Sequence, residues 1–199
     1  KRKLNEKMKD IFIPEGVKME YSGIYDDTQE SFQSLAKSMG IAFLIILVLL
    51  SAQFKSLMQP IIIAITIPLA FVGVVFGLMI TRVAFGLMAF FGLVALTGVV
   101  VNDAIVLISH INDLRREGIP YWEAIIEGGK HRLRPIILTT ITTISGMIPL
   151  TLDFVGGAEY WRPLAVSIIF GLGMATLLTL IVVPVLYSLI VRDKQLIRS

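Results

Sequence analysis

The residues Gly98 to Asn112, GVVVNDAIVLISHIN, place one carboxylate, that of Asp103, inside an apolar segment that is long enough, with its flanks, to cross a lipid bilayer. A charged side chain at the bilayer centre costs about 2.5 to 3.5 kcal/mol on insertion scales, so an acid at this depth needs a polar partner or a function. Asn102, beside it, is also polar. The stretch predicts a membrane helix that carries a functional acid.

The composition of the whole chain agrees with this prediction. The chain is 55% hydrophobic and only 17% charged, and its mean hydropathy is +0.80. Soluble domains have about 45–50% apolar and about 25% charged residues. The net charge of +3 is small, and its basic residues cluster in loops, which indicates membrane topology and argues against nucleic-acid binding. Cysteine is absent, which excludes disulfides and thiolate metal sites.

Five apolar runs are candidate membrane spans, because a hydrocarbon core of about 30 Å requires a helix of about 20 residues. The second run contains Pro68 and a GxxxG pair, Gly73 and Gly77, which predicts close helix packing. The predicted bundle covers residues 38–191, and its spans are Met39 to Phe54, Ile61 to Thr81, Phe85 to Ile111, Pro135 to Leu152 and Leu164 to Val191.

The segment before the bundle, residues 1–37, has a mixed pattern. Helical spacing over Lys1 to Ile13 ends at Pro14, and a period of two over residues 17–21 predicts a half-buried strand. Residues 26–38 have a helical bias and lead without a break into the first span. We predict a short α/β remnant followed by a connector helix. The chain lacks an initiator Met, which suggests a piece of a longer protein.

The loop between the third and fourth spans carries a cluster of basic residues, and the positive-inside rule then makes it cytoplasmic. An odd number of spans puts the N-terminal segment outside and the tail, residues 192–199, inside. Within the loop, a helix beginning at Pro120 places Trp122 and Ile126 on one face, so a separate amphipathic surface helix is predicted near 119–131. The basic residues are Arg115, Arg116, Lys130, Arg132 and Arg134.

Two interpretations of Asp103 remain open from the residues alone. A buried carboxyl group holds its proton more tightly and can exchange it near neutral pH, which favours a proton-carrying role. The alternative is a structural polar anchor. The hydroxyls of the fourth span, such as Thr139, can bond their own backbone or bridge to a carboxylate on the preceding helix. His110 is interpreted as an interfacial histidine.

Enzymatic functions fit poorly. An intramembrane aspartyl hydrolase needs two carboxylates at one site, and only Asp103 lies well inside a span. His110 and His131 do not form an HExxH frame, and no glycine loop has the pattern of a phosphate site. We predict no catalytic residues, no cofactor and no bound metal.

Three blocks together resemble the carboxy-terminal membrane half of resistance-nodulation-division (RND) efflux transporters. They are GVVVNDAIVLISHINDLRREG, EAIIEGGKHRLRPIILTTITTISGMIPL and WRPLAVSIIFGLGMATLLTLIVVPVLY. The resemblance implies an all-helical membrane protein with twelve spans in two halves, of which this chain supplies the last five. It also implies that residues 1–37 include the end of a periplasmic domain.

The resemblance implies a proton relay, with one departure. In the family a lysine on this helix faces acids on the first half, and the matching position here is Asn102. Asp103 falls where drug pumps usually have a neutral residue. Arg132 and Thr139 match the family's relay arginine and threonine. The predicted relay residues are therefore Asp103, Asn102, Thr139 and Arg132, with Asp103 as half of a site.

The function implied is proton-coupled efflux of small molecules or ions across the bacterial inner membrane, driven by the proton motive force. Implied partners are the rest of the permease chain, two further copies in a homotrimer, a periplasmic adaptor, an outer-membrane channel and the lipid bilayer. The alternative is a non-pump module of the wider superfamily, with a lipid-, sterol- or protein-export accessory role.

Overall fold

The computed structural model describes residues 24–152 and 157–196, and the side chains of 29–152 and 157–190. All regular elements in these ranges are helices. A short 3-10 turn, Ala158–Tyr160, precedes the last helix. The α-helices are α1 (Ile24–Phe54), α2 (Met58–Ala64), α3 (Thr66–Thr81), α4 (Leu87–Arg116), α5 (Tyr121–Leu152) and α6 (Arg162–Leu196).

Five stretches of these helices are long and apolar enough to cross a membrane, which confirms the five-span helical bundle. Helix α1 runs unbroken from Ile24 to Phe54 and so includes residues that precede the first span. The predicted helix over 1–13, the strand over 17–21 and the last residues of the tail, 197–199, lie outside the described residues.

The second span is divided into α2 and α3 by a break at Ile65. Pro68 has no backbone N–H, so the carbonyl of Ala64 loses its normal helical donor. The Thr66 hydroxyl lies beside the break and donates to the Ile63 carbonyl at 2.6 Å. The proline predicted inside the second span therefore ends one helix and starts another.

The segment predicted as a separate surface helix near 119–131 is helical from Tyr121, but it continues into the fourth span as α5. Four of its buried residues, Ala124, Gly128, Ile136 and Thr140, are separated by multiples of four positions. One face of the helix therefore packs on the bundle from Ala124 to Thr140, and the predicted surface segment is the first part of the helix that forms the fourth span.

The last helix, α6, is the centre of the bundle and packs against α3, α4 and α5. Glycines allow the close approach to α3, because a Cβ atom at Gly73 would lie 2.6 Å from the Met174 Cβ. A Cβ atom at Gly77 would meet the Phe170 side chain. The close packing predicted from the GxxxG pair is confirmed, and it occurs against α6.

The buried side chains form two apolar clusters at different depths. One contains Leu93, Leu96 and Val100 of α4, and the other contains Val101, Leu107 and Ile111 of the same helix. The clusters meet between residues 100 and 101. Asp103 therefore lies next to the level at which one apolar cluster gives way to the other.

Candidate functional site

Asp103 is half-buried on α4, beside the fully buried Ala104. The Asp103 side chain points away from both apolar clusters. The face of α4 that packs in the core is formed by Val100, Ala104 and Leu107, which are three or four residues apart. Among the described residues, no side chain donates a hydrogen bond to its carboxylate or forms an ion pair with it. A carboxylate at this depth is left without the partner that burial normally requires.

The register of α4 against α5 places Thr139 at the depth of Asp103. The two helices run antiparallel, and His110 of α4 contacts His131 of α5 at 3.4 Å. Asp103 lies seven residues, or about 10 Å, from His110 along α4, and Leu138 lies the same distance from His131 along α5. Thr139 is therefore one position from the residue level with Asp103.

The hydroxyls of α5 bond elsewhere. Thr139 donates to the Ile136 carbonyl at 2.9 Å, and Thr142 donates to the Leu138 carbonyl at 3.0 Å. Thr140 contacts the Thr176 hydroxyl of α6 at 2.9 Å. Of the two interpretations that the sequence left open, the bond to the helix's own backbone is the one present for Thr139.

No hydrogen bond or ion pair joins Asn102 or Arg132 to Asp103 among the described residues. Asn102 is exposed. It points about 100° away from Asp103 around the α4 axis, because the two residues are adjacent in a helix. Arg132 is half-buried, and its Nε has no hydrogen-bond acceptor among the described residues. Arg132 and Thr139 are seven residues apart and share a face of α5. Asn102, Asp103 and Thr139 lie at a similar depth, whereas Arg132 lies about 10 Å nearer the level of the two histidines, so the four predicted relay residues do not form one contiguous site within the described ranges.

A polar cluster that the sequence analysis missed lies where α4 ends and α5 begins. We call this end of the bundle the basic end, because Arg115 and Arg116 lie there. Gln59 and Asn112 exchange two amide hydrogen bonds of 3.2 and 3.0 Å. The Tyr187 hydroxyl donates to Asn112 Oδ1 at 2.7 Å and accepts from Arg115 at 3.3 Å. Gln59, Asn112, Arg115 and Tyr187 are the basic-end cluster, and they join α2, α4 and α6.

A fifth side chain supports this cluster from α5. The Tyr121 hydroxyl lies 2.9 Å from the Ser188 carbonyl of α6, and the Arg115 guanidinium carbon lies 5.2 Å from the Tyr121 ring centre. Gln59 and Asn112 are 53 residues apart, and Asn112 and Tyr187 are 75 apart. No local pattern could have paired them.

The two histidines were also not predicted to meet. His110 Nε2 lies 3.4 Å from His131 Nδ1, across 21 residues of sequence. Their ring centres are 5.6 Å apart, and the ring planes are inclined by 34°. His131 Nε2 lies 3.7 Å from Glu127 Oε1, one turn earlier on α5.

The structure also contains an apolar cavity of ≈ 430 Å³, and Asp103, His110 and His131 are not among its lining residues. It is enclosed mainly by α1, α3 and α4. The only side-chain hydroxyl among its lining residues is that of Thr97, which donates to the Leu93 carbonyl of its own helix at 2.9 Å. The cavity therefore presents apolar surface and brings no ionisable side chains together.

Comparison with known proteins gives consistent results. Residues 1–191 match the model of the AcrB/AcrD/AcrF family. The chain is 35% identical over 193 residues to the swarming motility protein SwrC of Bacillus subtilis (strain 168), covering 96% of this chain and 18% of that protein.

Metal-resistance proteins are similar to the chain as well. It is 35% identical over 185 residues to the cobalt-zinc-cadmium resistance protein CzcA of Cupriavidus metallidurans (strain ATCC 43123 / DSM 2839 / NBRC 102507 / CH34), covering 93% of this chain and 17% of that protein. A crystal structure of a heavy metal efflux pump superposes with a TM-score of 0.77 and 30% identity, over 95% of this chain and 19% of the pump. The chain therefore spans less than a fifth of each of these relatives.

Proposed function

Because the chain belongs to the AcrB/AcrD/AcrF family of RND efflux permeases, we propose that it forms part of a proton-coupled antiporter. The antiporter exports small molecules or ions across the bacterial inner membrane. The five apolar spans supply a membrane-embedded body, and Asp103 supplies a proton acceptor inside it. The proposal for the whole protein rests on the family, since this chain covers 17–19% of its relatives.

The observation that carries the proposal is the carboxylate of Asp103, which is half-buried and has no donor or cation among the described residues. A structural acid inside a membrane bundle is normally paired. We assign the missing partner to a helix of the full-length permease that faces the uncovered side of α4 and α5. We propose that Asn102, Thr139 and Arg132 complete the proton path.

Coupling follows from the charge of the carboxylate. When Asp103 binds a proton, the attraction of the ionised carboxylate for cationic or polar partners is reduced, and the preferred packing of α4 against the facing helix changes. Val100 and Val101 next to it belong to different apolar clusters. A shift of α4 at this level is therefore transmitted to both.

The orientation and partners are part of the same proposal. The basic end holds Arg115 and Arg116, and Lys130 and Arg132 lie about three turns into α5, so the positive-inside rule puts this end in the cytoplasm. The family resemblance supports a homotrimer that works with a periplasmic adaptor and an outer-membrane channel. No contact among the described residues favours the non-pump alternative.

The test uses the full-length permease in proteoliposomes, with a cargo chosen by screening cells for resistance to drugs and to metal ions. We expect Asp103→Asn to reduce cargo-dependent proton flux to the level of empty vesicles. The matched control is Asp113→Asn on the same helix, because Asp113 is exposed and pairs with Arg116 at 3.5 Å. Wild-type proton flux in the Asp103→Asn protein would show that this acid is not part of the relay.

A further inference from the structure

The contact between His110 and His131 has a geometry that the proton-coupled mechanism does not use. Both rings turn a nitrogen toward the same space between α4 and α5, with Nε2 and Nδ1 3.4 Å apart. His131 is exposed and His110 is half-buried, so the space between them is open to solvent. We infer that this pair binds a divalent transition-metal cation at the basic end.

The distance between the two nitrogens supports the inference. Zinc binds imidazole nitrogens at about 2.0–2.1 Å in tetrahedral geometry, which separates two nitrogen ligands by about 3.3–3.4 Å. The observed separation of 3.4 Å equals that spacing. A cation can therefore replace the shared proton between the rings with little movement of either helix.

Glu127 supplies a second, independent feature of such sites. A metal-binding histidine usually donates its other ring N–H to a carboxylate, which fixes the ring and makes the ligating nitrogen more basic. Glu127 Oε1 lies 3.7 Å from His131 Nε2, the nitrogen that faces away from His110. At this distance the Glu127 carboxylate attracts a proton to Nε2 electrostatically, which favours the tautomer in which Nδ1 of His131 is free to bind the cation.

The charges around the pair are mixed. The charge of Arg132 disfavours a cation at His110, and the smaller effects of Asp113 and Glu117 favour one. Among the described residues, no cluster of three or more histidine, cysteine or acidic side chains is placed to hold a metal ion. Two imidazoles from this chain therefore bind the cation, water fills its remaining positions, and the cation exchanges with solvent.

The chemistry of the ligands sets the order of affinity. Imidazole suits zinc, copper and nickel, whereas magnesium and calcium prefer oxygen ligands. Affinity should rise from cobalt to nickel to copper. A bound cation would connect α4 to α5 seven residues, or about 10 Å, from Asp103 on the same face of α4.

Zn²⁺ binding to the purified full-length permease tests the site. Competition with a chromophoric chelator measures the affinity for Zn²⁺. The same measurement with Ni²⁺ and with Mg²⁺ tests the expected order of affinity. We expect His131→Ala and His110→Ala each to lose one Zn²⁺ equivalent relative to wild type. Glu127→Gln should keep this Zn²⁺ equivalent but lower its affinity by about tenfold. Lys130→Ala is the control, because Lys130 is exposed beside His131, and it should bind as wild type does.

The result that would overturn the proposal is the same number of Zn²⁺ equivalents, with the same affinity, in wild type and both histidine variants. Loss of the equivalent in Lys130→Ala as well would also overturn it. Because His131 is exposed, its replacement leaves the packed core intact. The measurement reports binding without transport, so its outcome is independent of whether Asp103 carries protons.

Discussion

The basic-end cluster and Asp103 are both polar features of an apolar bundle, but only the first is complete within this chain. Asn112 is bonded to Gln59 and to Tyr187, and Tyr187 accepts from Arg115. Asp103, nine residues from Asn112 on the same helix, has no such partner among the described residues. The basic-end cluster, which joins helices of this chain, therefore has its hydrogen-bond partners within the chain. Asp103, which we assign to proton transfer, does not have a partner among the described residues.

The difference separates stability from function. Buried polar groups that are fully hydrogen-bonded stabilise one arrangement of helices, whereas a partly satisfied group is costly and is retained for another purpose. Substitutions in the basic-end cluster should therefore lower stability, and substitution of Asp103 should not. The following predictions test this contrast by the free energy of unfolding of the full-length permease in detergent.

Tyr187→Ala should have the largest effect. Tyr187 is 0% exposed and its ring packs within the apolar cluster that contains Val183 and Ile111. Removing a buried aromatic side chain costs about 3–5 kcal/mol. Denaturant-driven unfolding should show this loss, while Tyr160→Ala, at a site 62% exposed, should change little. Equal effects at the two sites would contradict the importance of the basic-end cluster.

Asn112→Ala should have the next largest effect, about 1–3 kcal/mol, because it leaves Gln59 and the Tyr187 hydroxyl without their partner. Asn102→Ala is the matched control on the same helix. Asn102 is exposed, and such surface changes stay within about 0.5 kcal/mol. If both asparagine variants unfold alike, the hydrogen bonds of Asn112 do not stabilise the bundle.

A double-mutant cycle of Gln59→Ala and Asn112→Ala should give a smaller coupling, about 0.6–1.7 kcal/mol, which is typical of hydrogen bonds between membrane helices. The four unfolding free energies, measured under one set of detergent conditions, supply the coupling. A value near zero would mean that the paired amides act independently, despite their bonds of 3.2 and 3.0 Å.

Asp103→Asn should have the smallest effect on stability, within about 0.5 kcal/mol of wild type. No partner in the described residues is lost, and the amide of Asn has the size of the carboxyl group and can still hydrogen-bond to the proposed partner on the facing helix. The same protein should fail in proton transport, as proposed above. Thermal unfolding of the variant beside wild type tests the first part. Destabilisation as large as that of Asn112→Ala would indicate a structural anchor and would remove the contrast between the two regions.

The membrane-spanning helices were largely predictable because each depends on the apolar residues of its own segment. A hydrocarbon core demands long apolar helices, and the runs around Asp103 and before Phe54 supply them. The boundaries differed where tertiary contacts decide them. Gly128 packs against Ile111, where a Cβ atom would lie only 2.6 Å from Cγ1, and this contact holds the start of α5 on the bundle.

The site was predictable only in part. The depth of Asp103 in its span follows from the sequence, whereas its agreement in depth with Thr139 depends on the register of α4 against α5 at the contact between His110 and His131. The bonds of Asn112 and the contact between His110 and His131 join residues from 21 to 75 positions apart, and they depend on how three helices pack. The assigned partner of Asp103 belongs to a facing helix, which local sequence patterns do not identify.

The central position of α6 also bears on the order in which the protein is made. Synthesis proceeds from the N-terminus, so α1 to α5 enter the membrane before the helix that fills the groove at Gly73 and bonds Asn112 through Tyr187. Helix insertion and helix assembly are separate stages. The bundle is therefore inserted but incompletely packed until Arg162–Leu196 has left the ribosome, since the last helix supplies most of the contacts among the spans.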